Sequence, residues 1–334
     1  MKKLFYSVLA IIIYSLTFGI APLAAQELYA TEPQGEKECQ VGLFEGLHVS
    51  GHLDVTLQEG RCAVTLNGDK ALIPYIIAEV RDSILYIGLD EKAIPADVKK
   101  IYRGRNTPVP ILRATVTVPA LNSITGTQNA IIRGSGVVFA DNLDLTLTDK
   151  ASIQDLELDA AYAKLHMNKN SLADFGLTSE SQLELSLDGN SQLKLACKAH
   201  NLLLYQAGSS TAILTGESAT STFDIMGNAK NRTNLQGSVL VLYAGGLTDV
   251  SLAGQMGDLT LSAERSAKIE GLEMNAQRVM ATMSGWTKAT VQAEEFLSVD
   301  LTGGSTLYYS GVPAIQIEKV VKSTLAPNLI NEKQ

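Results

Sequence analysis

Leu183-Glu184-Leu185-Ser186-Leu187-Asp188-Gly189-Asn190-Ser191 places an apolar residue at every second position and then breaks into a polar turn. Period two puts alternate side chains on opposite sides of an extended chain, whereas a helix needs apolar spacings of three and four. The same phrase returns down the chain. Apolar runs begin at Leu143, Ala163, Leu183, Leu202, Phe223, Leu240, Leu259, Val279 and Leu297, at intervals of 17–21 residues. Each run ends in a comparable corner, such as Asp149-Lys150-Ala151-Ser152, Asn168-Lys169-Asn170-Ser171, Ala207-Gly208-Ser209-Ser210 or Thr302-Gly303-Gly304-Ser305. Gly, Asn and Asp tolerate positive φ, so these tetrads predict a turn at a fixed place in every repeat.

A second apolar pair follows each corner, as with Phe175 and Leu177 or Leu195 and Cys197. Two or three strands at ~3.3 Å per residue wrap a unit of this length once around a narrow core, each coil sitting ~4.8 Å above the last. The predicted fold is all-β: a single-domain parallel β-helix, or solenoid, with roughly 20-residue coils. Propeller blades need ~40 residues, and a β-sandwich rarely repeats so evenly.

Flanking segments follow from composition. Met1-Lys2-Lys3, the apolar stretch Leu4 to Ile20 and Ala21-Pro22-Leu23-Ala24-Ala25 read as a secretory signal peptide over 1–25. The protein is therefore expected to be exported, to the periplasm, outer envelope or exterior, with no membrane span in its mature form. Residues 26–40 read as a flexible leader, 41–315 as the β-helix domain with a loop insertion at 91–112, and 316–334 as a C-terminal cap and tail. The insertion holds Pro95, Pro108 and Pro110 and the basic cluster Lys99-Lys100-Ile101-Tyr102-Arg103-Gly104-Arg105, read as a solvated loop, with a grip on an acidic polysaccharide or an anionic surface as the alternative. Net charge is −8, and loss of Lys2 and Lys3 with the signal makes the balance more acidic. Phosphate backbones demand Lys and Arg, so nucleic acid is excluded as a partner.

The motifs of the common hydrolases, metalloproteases, nucleotide-binding loops and redox dithiols are absent from the sequence. No catalytic residue, metal or cofactor is expected. His48 and His52 share a strand face by spacing, but no third ligand accompanies them; His166 and His200 stand alone. Asp149, Asn168 and Asp188 fall at successive corners, where a column of oxygens could suit calcium or acid-base chemistry. Turns call for those residues in any case. Cys197 is in phase with Leu193 and Leu195 and is expected in the core. Cys39 and Cys62 are 23 residues apart, about one turn of a solenoid, which leaves open a disulfide or two separate thiols.

Outward residues that no turn or core requires are the remaining clues. Tyr205 and Tyr243 are read as equivalent outward positions two coils apart, with Met226 between them at the same place. The single tryptophan, Trp286, sits in the corner Ser284-Gly285-Trp286-Thr287, where a large aromatic is not needed for turning. These four mark a candidate contact face for a glycan or a surface protein; packing against a neighbouring coil or a terminal segment is the structural alternative.

The export signal, Phe44-Glu45-Gly46-Leu47-His48-Val49-Ser50-Gly51, the run Ser83-Ile84-Leu85-Tyr86-Ile87 and Gly/Ser corners closing on Tyr309-Ser310-Gly311-Val312-Pro313 together resemble the putative auto-transporter adhesin family, head GIN domain (DUF2807), of Bacteroidetes envelopes. The resemblance covers roughly residues 41–315. Family members repeat Gly-Ser-Gly at their corners; here only Gly134-Ser135-Gly136 keeps it. The resemblance implies a secreted β-helix with an adhesive role and brings no catalytic residues with it. The expected function is a secreted or envelope binding module without turnover. A polysaccharide lyase or hydrolase on the same scaffold and a purely structural spacer are the alternatives.

Overall fold

The computed structural model describes residues 34–102, 110 and 112–328. The signal peptide, the leader up to residue 33 and Arg103-Gly104-Arg105 of the basic cluster lie outside the described residues, as do residues 329–334. The chain forms a β-solenoid of about 11 turns with about 19 residues per coil. Long strands such as Ser152–Met167, Leu172–Leu187 and Gln192–Gln206 pair in parallel with the coils on either side. Register irregularities after Gln154 and after Ala160 divide a coil into three runs. These runs, 162–167, 152–154 and 157–160, are numbered as the first, second and third faces of the coil, with the corner turn between the first and the second.

Inward residues on the first face form continuous columns. Leu143, Ala163, Leu183, Leu202, Ser221, Leu240, Leu259, Val279 and Leu297 are in register and buried, and exposed Ile315 continues the column at the end of the stack. Phe223 thus pairs with Leu204 and Leu242, not with Leu202 and Leu240, which corrects the run expected to begin there. Ser221 holds the core position instead, fully buried, with no hydrogen-bond partner for its hydroxyl. A small residue there stands two positions from Phe223, the largest fully buried side chain. Alternating large and small side chains is how a narrow core fills without voids.

The corner is set by backbone conformation. Gln128, Asp149, Lys169, Gly189, Gly208, Gly227, Gly246, Arg265, Gly285 and Gly303 occupy equivalent places, all with φ between 50° and 88°. Four of the ten are not glycine, so positive φ alone does not demand it. Closeness does: a Cβ at Gly208 would stand 2.7 Å from the Gly189 carbonyl oxygen, whereas at Gly189 it would meet only Lys169 N at 3.2 Å. Two residues further on, each coil turns a small side chain inward, as at Ala151, Ser171, Ser191, Ser210, Ala229 and Thr248.

The amino-terminal end differs. Strands Gly46–Ser50 and Asp54–Glu59 make one coil, after which the chain leaves it, passes over the end and returns on the other side at Ser123–Thr127 and Ile131–Ser135. The excursion adds antiparallel strands, Ala63–Asp69 against Leu112–Val118 and Ile76–Arg81 against Ile84–Leu89, with Leu66, Leu72, Ile73 and Ile76 buried beneath. Antiparallel additions of this kind cover a core that parallel stacking would leave open. Residues 34–39, expected within a flexible leader, are a strand paired antiparallel with Ala63–Asp69, whose outer edge needs a partner for its backbone groups. The insertion carries a short helix, Ala96–Ile101. At the other end, Ala314–Val321 and Thr324–Pro327 continue the parallel stack.

Candidate contact ridge

The four outward residues singled out from the sequence lie along one edge of the prism, where the first face meets the corner. Tyr205 pairs with Asp224, and Asp224 with Tyr243. The position between the tyrosines is therefore Asp224 and not Met226. Met226 lies two residues further, in the corner column with Ala207 and Gly245. The two-residue slip has the same cause as at Phe223: the apolar phase was read through a serine. The tyrosines are half exposed and, two coils apart, their backbones are separated by about 10 Å.

Trp286 is 76% exposed and extends the ridge along the corner. Its backbone N–H donates to Arg265 O at 2.6 Å, and its ring lies over Gly304 of the next coil, where a Cβ would come within 3.3 Å of Cε3 and Cζ3. Met226 does the same over Gly245, where a Cβ would stand 2.6 Å from its Sδ. Each corner side chain thus lies against a glycine, which supports one side of it and leaves the other open. Leu247, 69% exposed, belongs to the Trp286 column two coils earlier and completes the ridge. Sequence reasoning passed over Leu247, although Gly245-Gly246-Leu247-Thr248 carries the same signal as Gly285-Trp286: a large apolar residue where the turn asks for a small polar one.

The other candidates do not converge. His48 stacks on Tyr86 at 5.2 Å and burial holds its pKa down, while His52 lies beyond the corner at Gly51, φ 81°, so the expected shared face is lost. His166 Nε2 is 3.4 Å from Asn168 Nδ2. Asn168 and Asp188 share one column in adjacent coils, but Asp149 stands one position further on, beside Lys169, and each oxygen is engaged separately: Lys169 pairs with Asp149 at 3.3 Å, Asn168 Oδ1 accepts from Thr148 Oγ1 at 2.5 Å, and Asp188 accepts from Gly189 N at 2.6 Å. Among the described residues no three His, Cys, Asp or Glu side chains are placed to hold a metal ion. Glu45, Asp141, Asp159 and Glu180 line a shallow groove beside Phe139 that contains no Lys or Arg. An acidic polysaccharide would meet only like charge there.

Asn231-Arg232-Thr233, which matches a glycan acceptor pattern in letters, is turned inward. Asn231 Nδ2 donates to Gln206 Oε1 at 3.2 Å, Thr233 Oγ1 donates to Asn231 Oδ1 at 2.8 Å, and Gln206 Nε2 donates to Lys230 O at 2.8 Å. This is a satisfied polar rung inside an apolar core. Cys197 is buried as expected, and burial pushes its thiol up to about 12. Outside, coils are tied by pairs such as Lys194–Asp174 at 2.9 Å and the two-pronged Arg278–Asp258 contact at 2.6 and 2.7 Å, which holds the Asp258 carboxyl below its usual range.

The chain is thus a parallel β-solenoid that carries a row of exposed apolar side chains along one edge. The chain belongs to the family described as putative auto-transporter adhesin, head GIN domain (DUF2807), whose model matches residues 43–237 and 216–313. Membership supports a non-catalytic binding role and a surface or envelope location. No curated protein matches the chain. Among solved structures it is similar to a putative adhesin from Bacteroides fragilis (16% identity over 89% of this chain and 98% of that one, TM-score 0.29). Others are a putative lipid binding protein from Parabacteroides distasonis (12%, 90% and 98%, TM-score 0.34) and a putative adhesin from Parabacteroides merdae (13%, 90% and 98%, TM-score 0.34). Among the described residues no helix is long and apolar enough to cross a membrane.

Proposed function

We propose that this protein is an exported, non-catalytic binding module that contacts a glycan or a surface protein through the ridge formed by Tyr205, Met226, Tyr243, Leu247 and Trp286. One observation carries the reading: Met226, Leu247 and Trp286 stand where the turn needs only small residues, in line with the half-exposed Tyr205 and Tyr243, and Met226 and Trp286 are held open against glycines of the next coil. Exposed apolar groups clustered in this way mark contact surfaces, and aromatic rings supply large area at little entropic cost. A convex ridge fits a flat or grooved partner better than a small molecule, which needs a concave site.

The test is a glycan array and a surface-protein binding screen on residues 26–334, run beside a sugar-release assay and repeated with Tyr243→Ala and Trp286→Ala. Binding that falls at least tenfold in the variants, without product release, supports the reading. Product release would establish an enzyme, and binding indifferent to both substitutions would move the contact face elsewhere.

A further inference from the structure

Two of the three cysteines are brought together at the amino-terminal cap. Strand Gln34–Cys39 runs antiparallel to Ala63–Asp69, with Cys39 directly opposite Val64. Residues directly opposite point to the same side, and so do residues two apart on one strand. Cys62, two before Val64, therefore faces the same side as Cys39, one diagonal step away. Burial agrees independently: both side chains are half-buried against the same apolar core, and Cys62 Sγ lies 4.0 Å from Phe44 O. In the structure both are thiols.

Diagonal positions stand ~7–8 Å apart between Cα atoms, and a disulfide spans at most about 6.8 Å. The gap to close is thus about an ångström. The backbone can supply it: the ladder ends at Cys39, and Cys62 sits just after the bend at Gly60, outside the strand that begins at Ala63. Gln34–Cys39 needs such a tie. It is a strand of six residues whose one strand partner among the described residues is Ala63–Asp69, and its side chains are largely exposed.

We propose that Cys39 and Cys62 form a disulfide that staples the first strand to the cap once the protein reaches an oxidising compartment. The oxidant is a thiol-exchanging disulfide, small or protein-borne. One thiolate attacks it, giving a mixed disulfide and releasing one thiolate. The second cysteine, deprotonated, attacks the mixed disulfide and releases the other. The two protons lost by the cysteines end on the two released thiols, so the pair is oxidised by two electrons and the reagent reduced by two. Cys197, enclosed in the third face, takes no part.

The experiment uses purified residues 26–334 with glutathione disulfide, followed by alkylation under denaturing conditions and tryptic mass spectrometry. Cleavage at Arg61 separates the two cysteines, so the bond appears as peptide 38–61 joined to peptide 62–70, two hydrogens lighter than their sum, with one alkylated thiol left at Cys197. Retained glutathione on Cys39 or Cys62, or three free thiols, would overturn the proposal, because either means that the two sulfurs cannot meet. Amide exchange over Gln34–Cys39 tests the staple separately. It should slow at least tenfold on oxidation and not in Cys39→Ser; a bond that forms without that change would refute the stapling role.

Discussion

Gly216 and Gly189 provide a paired test of how closely the coils approach. Both have positive φ, 140° and 66°. Placing alanine in the left-handed region costs about 1–2 kcal/mol, and Gly189→Ala should lose about that much, since its new methyl meets only Lys169 N at 3.2 Å. Gly216 belongs to an inward column that alternates Cys197, Gly216, Leu235, Gly254 and Met274. A Cβ there would stand 1.8 Å from the Cys197 carbonyl oxygen, against the 3.4 Å at which ordinary contact begins. Separating the two by more than an ångström means parting the coils. Orphaning two buried backbone groups at about 1–3 kcal/mol each, added to the φ cost, gives about 3–8 kcal/mol for Gly216→Ala, most of it in the range reserved for severe defects. Urea unfolding followed by circular dichroism measures both variants. Amide exchange should place the loss in Gln192–Gln206 and Thr211–Ile225, because a solenoid transmits damage mainly to neighbouring coils. Equal losses within about 0.5 kcal/mol, small for any substitution, would refute the close-approach argument.

Three further outcomes are expected. Gly304→Ala should lift the indole of Trp286 from its support; since that is the single tryptophan, a changed emission maximum in the folded protein reports it directly. Thr233→Val should destabilise by about 1–3 kcal/mol, because Asn231 Oδ1 loses its donor inside the core; urea midpoints measure it, and a neutral effect would mean that the polar rung is not closed as described. His48 binds its proton less readily folded than unfolded, where its value is near 6.5. Its contribution is complete above that value and declines as pH falls below it, levelling off once the folded form is also protonated. Melting temperature followed from pH 8 to 5 should therefore drop less steeply in His48→Phe, and identical slopes would assign the acid sensitivity elsewhere.

The architecture was legible because a solenoid repeats its constraints. Alternation at Leu183-Glu184-Leu185 and the glycine corners reveal period, strand type and parallel stacking without any long-range information. What escaped are places where the core uses polar atoms. Ser221 in an apolar column shifted the apparent phase by two and carried Met226 into the wrong column. Gln206, Asn231 and Thr233 look solvent-facing by composition, yet they satisfy one another across adjacent coils, which only the register reveals. The strand Gln34–Cys39 escaped because its sequence is polar and its fold depends on an edge supplied by residues 63–69. The ridge was half legible: single misfits such as Trp286 stand out, but Gly245 and Gly304 show their supporting role only when the next coil is laid beneath them.

The stacked corners make the ridge a ruler. Each column advances by one interstrand step, ~4.8 Å, per coil, so its apolar marks fall at whole numbers of steps: Tyr205 at zero, Met226 at one, Tyr243 and Leu247 at two, Trp286 at four. A substitution can erase a mark or add one, but it cannot shift one by half a step without breaking the ladder that holds every other mark. A partner that reads this edge therefore reads distance in fixed increments, and selectivity in such a scaffold changes by choosing which graduations are inked.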